Sequence, residues 1–419
     1  MDKNQIIILA DALTYLLTFI YWLVKLKRLN VGLIILAIMA ISHIGAVFYY
    51  AVQVELGLFH GDIQILPFIY LYLLIMICLL PFLQHKGIKM VDNRGCETFT
   101  TYLAIFIVIL NIEPFLENLF LLRSSGAEYS ELYEDMRDGE LDIYSGLGKK
   151  LMQWCNYFRL LVPILFFYYL SRPKTNKLFI YGLGMCLVNM ILFWINIGTR
   201  GGILSQFLMY TLAFVLFMPV MPDLTISKIK RYFFISAIPC LIVFAGITIS
   251  RYNSKDTDRS LIGWLLLYSS EGPIRFNTEM WDGPHNTNGD VNTCLIKDML
   301  GMKTYITYED RDTHYWAKNG RRIEVFYTFI GDFISDFSYW GGIAICLIFF
   351  GIERKLLRRN GVIPLHYFIF LLFFIHLYSI GFASNIYRSY GMQRGVFYMC
   401  IVYCLFAFSK NSFKKVSQK

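Results

Sequence analysis

Runs of roughly 18–22 apolar residues recur along this 419-residue chain, each the length a helix needs to cross a hydrocarbon core of about 30 Å. A segment surrounded by lipid must satisfy its backbone amides internally, so helix is the state these runs require. They lie near residues 5–24, 31–52, 63–83, 98–120, 151–170, 178–197, 203–222, 232–250, 328–350, 364–384 and 393–409. With 56% hydrophobic and 16% charged residues, the chain holds more apolar surface than a water-soluble fold of this size hides. The sequence therefore predicts an all-α polytopic membrane protein of about eleven transmembrane helices, with residues 1–419 as a single membrane domain. The first run follows Met1-Asp2-Lys3 without a basic leader, and no small-residue cleavage pattern precedes Lys25, so it is expected to remain as an anchor.

Basic residues collect in alternate loops: Lys25, Lys27 and Arg28; Lys86, Lys89 and Arg94; Arg172, Lys174 and Lys177; Lys228, Lys230 and Arg231; Arg354, Lys355, Arg358 and Arg359; and Lys410, Lys414, Lys415 and Lys419. The positive-inside tendency makes that side cytoplasmic, which puts the N terminus outside and the C terminus inside. The formal charge of +9 is mostly this collar, suited to anionic lipid headgroups. No basic face interleaved with aromatics points to nucleic acid. The nine cysteines lie mainly in spans, only Cys294 is clearly in a large loop, and no C-x-x-C pair occurs. Neither a disulfide framework nor a zinc site is indicated.

Two segments interrupt the hydrophobic rhythm on the outer side. Residues 121–150 form an acidic loop carrying Glu128, Glu131, Glu134, Asp135, Asp138, Glu140 and Asp142, a composition that favours a solvated surface. Residues 251–327, between spans eight and nine, form the larger loop and mix ten Lys and Arg with acids, tyrosines, Trp281, His285, His314 and Trp316. Within it, Leu261–Tyr268 is apolar but too short to span, which makes it interfacial or re-entrant.

Ionisable groups inside spans require partners or a wet cavity. Glu113 and Glu117 can pair with Arg159 as a buried strut or line a substrate cavity. Asn189 and Asn196, seven residues apart, share a helix face and suit hydrogen bonding between helices. His43, His366 and His376 read as satisfied core residues. Gly198-Thr199-Arg200-Gly201-Gly202 makes a hairpin tip where Arg200 and the first free amides of the next helix suit an anion, or where Arg200 reaches to headgroups across a plain turn. Asp332 and Asp336 stand one helical turn apart near the start of span nine, placed either for general base work or for helix-dipole stabilisation. The last outer hairpin, 381–395, adds Arg388 and Arg394. Asp256-Thr257-Asp258 reads as solvated loop and not as a metal-ligand pair.

Taken in order, several of these pieces resemble the Wzy-type polymerases of bacterial surface polysaccharides, the oligosaccharide repeat unit polymerases. They are Thr199-Arg200-Gly201-Gly202 opening a mid-chain span, the large outer loop, Phe326-Tyr327-Thr328 followed by Asp336-Phe337 and Gly341-Gly342, and Ser384-Asn385 late in the chain. The resemblance covers the C-terminal half. The Asp-Phe-Gly pattern usual in that family stands here as Asp336-Phe337-Ser338, with the glycine delayed to Gly341, and many members have more spans. Pro284-His285-Asn286 is similar to the His-Asn motif of O-antigen ligases, but lies about forty residues before the span that motif would adjoin.

The resemblance implies a GT-C-like fold in the bacterial inner membrane. It also implies polymerisation of undecaprenyl-diphosphate-linked oligosaccharide units into O-antigen, capsule or exopolysaccharide at the outer face, without cofactor or metal. A chain-length regulator and a flippase are the partners it adds to membrane lipid. On this reading Arg200, Arg251, Arg275, Arg321 and Arg388 hold diphosphate and glycan, because fixed guanidinium donors stabilise charge on the departing diphosphate. Asp332, Asp336 or His314 takes the proton from the attacking hydroxyl. Two alternatives stand beside it: ligase-type transfer of a finished glycan, and a lipid-linked oligosaccharide transporter or flippase. Transporters tend to place polar groups at the midplane, whereas here they concentrate at one face.

Overall fold

The structure, a computed structural model, describes residues 2–57, 59, 61–124, 144, 146–253, 261–283, 287–320, 326–357 and 361–417. The acidic run Glu128–Asp142, Asp256-Thr257-Asp258, Pro284-His285-Asn286 and Arg321 lie outside them, as does the side chain of Arg251. The described chain is mostly helical. Its first half comprises α1 (Lys3–Leu26), α2 (Val31–Glu55), α3 (Ile65–Gln84), strand β1 (Met90–Asp92), α4 (Glu97–Ser124), α5 (Gly146–Tyr157), α6 (Leu161–Leu170), α7 (Lys177–Asn196) and α8 (Arg200–Phe217). Then come α9 (Asp223–Asn253), α10 (Leu261–Arg275), α11 (Cys294–Met299), α12 (Tyr308–Asn319), α13 (Thr328–Leu357), strand β2 (Val362–Pro364), α14 (Tyr367–Ile380) and α15 (Tyr390–Ser417).

Nine helices among the described residues, α1–α4, α7–α9, α13 and α15, are long and apolar enough to cross a membrane. Two expected spans are shorter. Residues 151–170 break between α5 and α6, where Pro163 cannot donate to the carbonyl of Arg159, four residues earlier, and a continuous helix would need that bond. Residues 364–384 are reduced to the 14 residues of α14, which begins just after Pro364 and ends before a turn at Gly381. The parallel pairing of β1 with β2, Met90 opposite Val362, had no signal in a sequence read as all-α, because each strand is three residues long.

The chain forms two compact units. The first comprises Met1–Lys86, Asp258–Arg359 and Phe374–Arg394. In it α1 and α2 meet through buried Asp11 and His43, 2.5 Å apart, with the ring of Tyr15 stacked on His43. Helix α10 packs against the middle of α2: Ser42 donates to the carbonyl of Ser269 at 2.7 Å, and Gly45 leaves room for the Ser270 hydroxyl. Ile8, Ala46, Tyr49, Tyr50, Ile63, Phe68 and Ile274 form the adjoining apolar core. Helix α3 meets α13 where Tyr70 donates to the carbonyl of Tyr339 at 2.6 Å.

The second unit comprises Gly87–Thr257, Asn360–Phe373 and Gly395–Lys419. A ladder of amides joins α4 to α7: Asn118 donates to Asn189, Asn189 to Asn111 and Asn196 to Asn118, each at 2.8 Å. Asn189 and Asn196 thus bond between helices. Tyr144 caps the ladder at Asn118. The Glu117 carboxylate lies against Gly148, where any Cβ would overlap it, and buried Arg159 reaches Asn156 at 3.5 Å.

Candidate functional site

The site in the first unit is built on the N-terminal end of α13. Thr328 opens that helix with φ +67, a conformation a β-branched residue rarely adopts, and its amide donates to the carbonyl of Ala383 at 2.9 Å. The Phe329 amide donates to Gly381, also at 2.9 Å. The hairpin after α14 thereby satisfies the first two amides of α13, which no intrahelical partner reaches. Ten residues later the helix breaks at Ser338, with φ 62 and ψ −178, a backbone region that is essentially glycine's own. The segment bearing Asp332 and Asp336 is thus set off from the rest of the span.

Both carboxylates point the same way and are buried. Asp332 accepts the Asn385 amide at 2.6 Å and Arg388 Nη1 at 3.3 Å. Asp336 accepts the Thr287 hydroxyl, the Val291 amide at 3.1 Å, the Asn292 amide at 2.6 Å and Asn292 Nδ2 at 2.7 Å. Asn292 also donates to the Asp332 carbonyl at 2.7 Å and accepts from Asn385 Nδ2 at 2.6 Å. Through this one amide the large loop, α13 and the last hairpin are fastened together. Four donors on one carboxylate make Asp336 an organiser of the loop, with its lone pairs committed.

His314 has different surroundings. Its Nε2 lies 2.8 Å from Asp290 Oδ2, and its ring stacks on Tyr305 with centroids 3.7 Å apart. Lys297 bonds to the other Asp290 oxygen and Lys318 lies 3.6 Å away, while the Tyr315 hydroxyl donates to the Asp290 carbonyl at 2.7 Å. Burial pushes the Asp290 carboxyl up, but Lys297, His314 and Lys318 outweigh it and hold it below the usual carboxylate range. A histidine oriented by a carboxylate is the arrangement general bases use. No hydrogen bond holds His314 Nδ1 among the described residues.

Of the five expected arginines, Arg388 joins this site. Arg275 pairs with Glu271 at 2.9 Å and Glu279 at 2.7 Å, so two carboxylates already neutralise it. Arg200 belongs to the second unit, where it opens α8, is buried, and comes within 3.5 Å of the Thr248 hydroxyl. Around it Gly198 supplies φ +62 and Gly202 gives way to the Trp194 ring, so that glycine accommodates a side chain and not a ligand. Arg321 and the Arg251 side chain lie outside the described residues.

Sequence reasoning missed Thr287, Asp290, Asn292 and Arg311, the last of which donates Nη2 to the Arg388 carbonyl at 3.3 Å. One signal was present: the polar turn formers from Thr287 to Thr293 sit in a stretch that has no other reason to be ordered. Among the described residues no group of three or more His, Cys, Asp or Glu side chains is arranged to hold a metal ion. Compared with known proteins, the chain matches no family model, no curated protein and no solved structure.

Proposed function

We propose that this chain is a Wzy-type membrane glycosyltransferase that polymerises undecaprenyl-diphosphate-linked oligosaccharide units at the outer face of the bacterial inner membrane. On this reading it has eleven spans in a GT-C-like arrangement, a periplasmic N terminus and a cytoplasmic C terminus. One observation carries the reading. Asp336-Phe337 and Ser384-Asn385, chosen from sequence as separate motifs, meet in one buried constellation through Asn292, with Arg388 on Asp332 beside them. The conformation of Ser338 adds support, because the residue standing where that family has glycine adopts a glycine backbone.

In the proposed reaction an acceptor hydroxyl oxygen bonds to the donor anomeric carbon as the bond from that carbon to the diphosphate oxygen breaks. The hydroxyl proton passes to His314, which Asp290 orients, and Arg388 faces the charge that grows on the departing diphosphate. Asp332 and Asp336 hold the loop and hairpin that carry these groups.

The test is surface-polysaccharide banding from a deletion strain complemented with wild type, His314→Gln, Asp290→Asn or Arg388→Ala. A wild-type ladder that collapses to single repeat units in the variants, each expressed at wild-type level, supports polymerisation. Loss of even the single-unit product in the deletion strain points to export, and an unaltered ladder in that strain rejects the reading.

A further inference from the structure

Arg311, on α12, is 7% exposed, and its Nε is buried without a hydrogen-bond partner among the described residues. Its Nη2 donates to a main-chain oxygen, the Arg388 carbonyl, at 3.3 Å, and it also hydrogen-bonds Tyr315, whose ring lies 6.0 Å from Cζ. The neighbouring carboxylates already have closer partners: Asp290 has Lys297, His314 and Lys318, Asp332 has Arg388 and Asn385, and Asp336 has Thr287, Val291 and Asn292. A guanidinium carries five donors in a planar fork. Removing it from water without a facing carboxylate is unfavourable unless another anion completes it. Helix α12 sets Arg311, His314 and Lys318 three and four residues apart on one face, and the Arg388 carbonyl brings the second guanidinium's residue to the end of that face.

We propose that Arg311, together with Arg388, forms a binding position for a phosphate-class anion. Resting on the glycosyl-transfer reading above, the ligand is the diphosphate of the polyprenyl-linked glycan. The planar fork suits two phosphate oxygens at once, as an ammonium does not. Arg311 then belongs with the substrate and Arg275, closed off by its two glutamates, does not.

The experiment uses full-length protein in nanodiscs of zwitterionic lipid. Binding of undecaprenyl diphosphate is measured for wild type, Arg311→Gln and Arg311→Lys, with inorganic pyrophosphate and phosphatidylglycerol as competitors and thermal unfolding followed in parallel. We expect affinity to fall by about tenfold or more in Arg311→Gln and by less in Arg311→Lys, which keeps the charge and guards against a folding defect. Pyrophosphate should compete and phosphatidylglycerol should not. Unchanged affinity in both variants, with Arg311→Gln unfolding at lower temperature, would make Arg311 a strut and overturn the proposal. Competition by phosphatidylglycerol alone would assign the position to headgroups and overturn the diphosphate assignment. Affinity lost in the variants of a protein whose wild type makes no polymer would leave the anion position standing and remove only the glycosyl-transfer reading.

Discussion

The two units each bury a polar network, and the networks differ in kind. Between α4 and α7 the network is a ladder of neutral amides, in which Asn196, Asn118, Asn189 and Asn111 are linked in turn from helix to helix and Tyr144 donates to Asn118 from outside the two helices. At the N-terminal end of α13 the network is charged, with two carboxylates drawing donors from a loop and from a hairpin. Neutral amides suit a helix pair inside lipid, where an unpaired charge is expensive and a side-chain hydrogen bond gives a modest gain. Carboxylates suit the place where irregular backbone must be fixed, because a single one can gather several amides that no helix satisfies. The first network holds helices together and the second holds a site in shape.

The sharpest way to break that contrast is Asp336→Ala. It leaves four donors facing an apolar side chain, and we expect a loss of about 3 kcal/mol or more, with proteolysis appearing first in the 287–293 segment. Asn189→Ala removes one rung, and we expect about 1 kcal/mol in thermal unfolding with no such local cleavage. If the two substitutions destabilise equally and globally, the distinction between glue and site organiser is wrong.

Acidity should separate the networks too. The folded pKa of Asp290 is lowered, so its contribution is complete above the ordinary aspartate value and is lost as pH falls through the lower folded value. Hydrogen exchange on α12 should therefore accelerate below about pH 4 while the α4–α7 pair stays protected, and Asp290→Asn should abolish the acid step. The smallest effect is expected from Ser338→Gly, which keeps the backbone and removes its strain. We expect a gain of up to about 1 kcal/mol, read as a higher unfolding temperature; a loss would show that the serine side chain is needed there.

What could be read in advance follows from distance along the chain. Most spans were legible because hydrophobic length is a local property; the exceptions are 151–170, interrupted just before Pro163, and 364–384, shortened to the 14 residues of α14. Asp332 and Asp336 were legible as a pair because one helical turn separates them. Their partners were not: Asn292 bonds to a residue 44 positions away and Asn385 to one 53 positions away, and no periodicity encodes such pairings. Arg275 reads from sequence as available to an anion because sequence gives charge but not counter-charge. Glu271 and Glu279, four residues to either side, held a local hint that its charge is taken up within its own helical stretch.

The stitching of α13 to the hairpin after α14 has a consequence for biogenesis. Asp332 and the first amides of α13 find their partners only at Gly381, Ala383, Asn385 and Arg388. Synthesis supplies these about fifty residues later, and at roughly 5–20 residues per second the wait lasts several seconds. Through that interval a nascent chain carries an ionisable group at the membrane surface with its lock still inside the ribosome. Completion of the hairpin after α14 is therefore the event that closes this network, and a chain truncated before Asn385 would be inserted with Asp332 still unlocked.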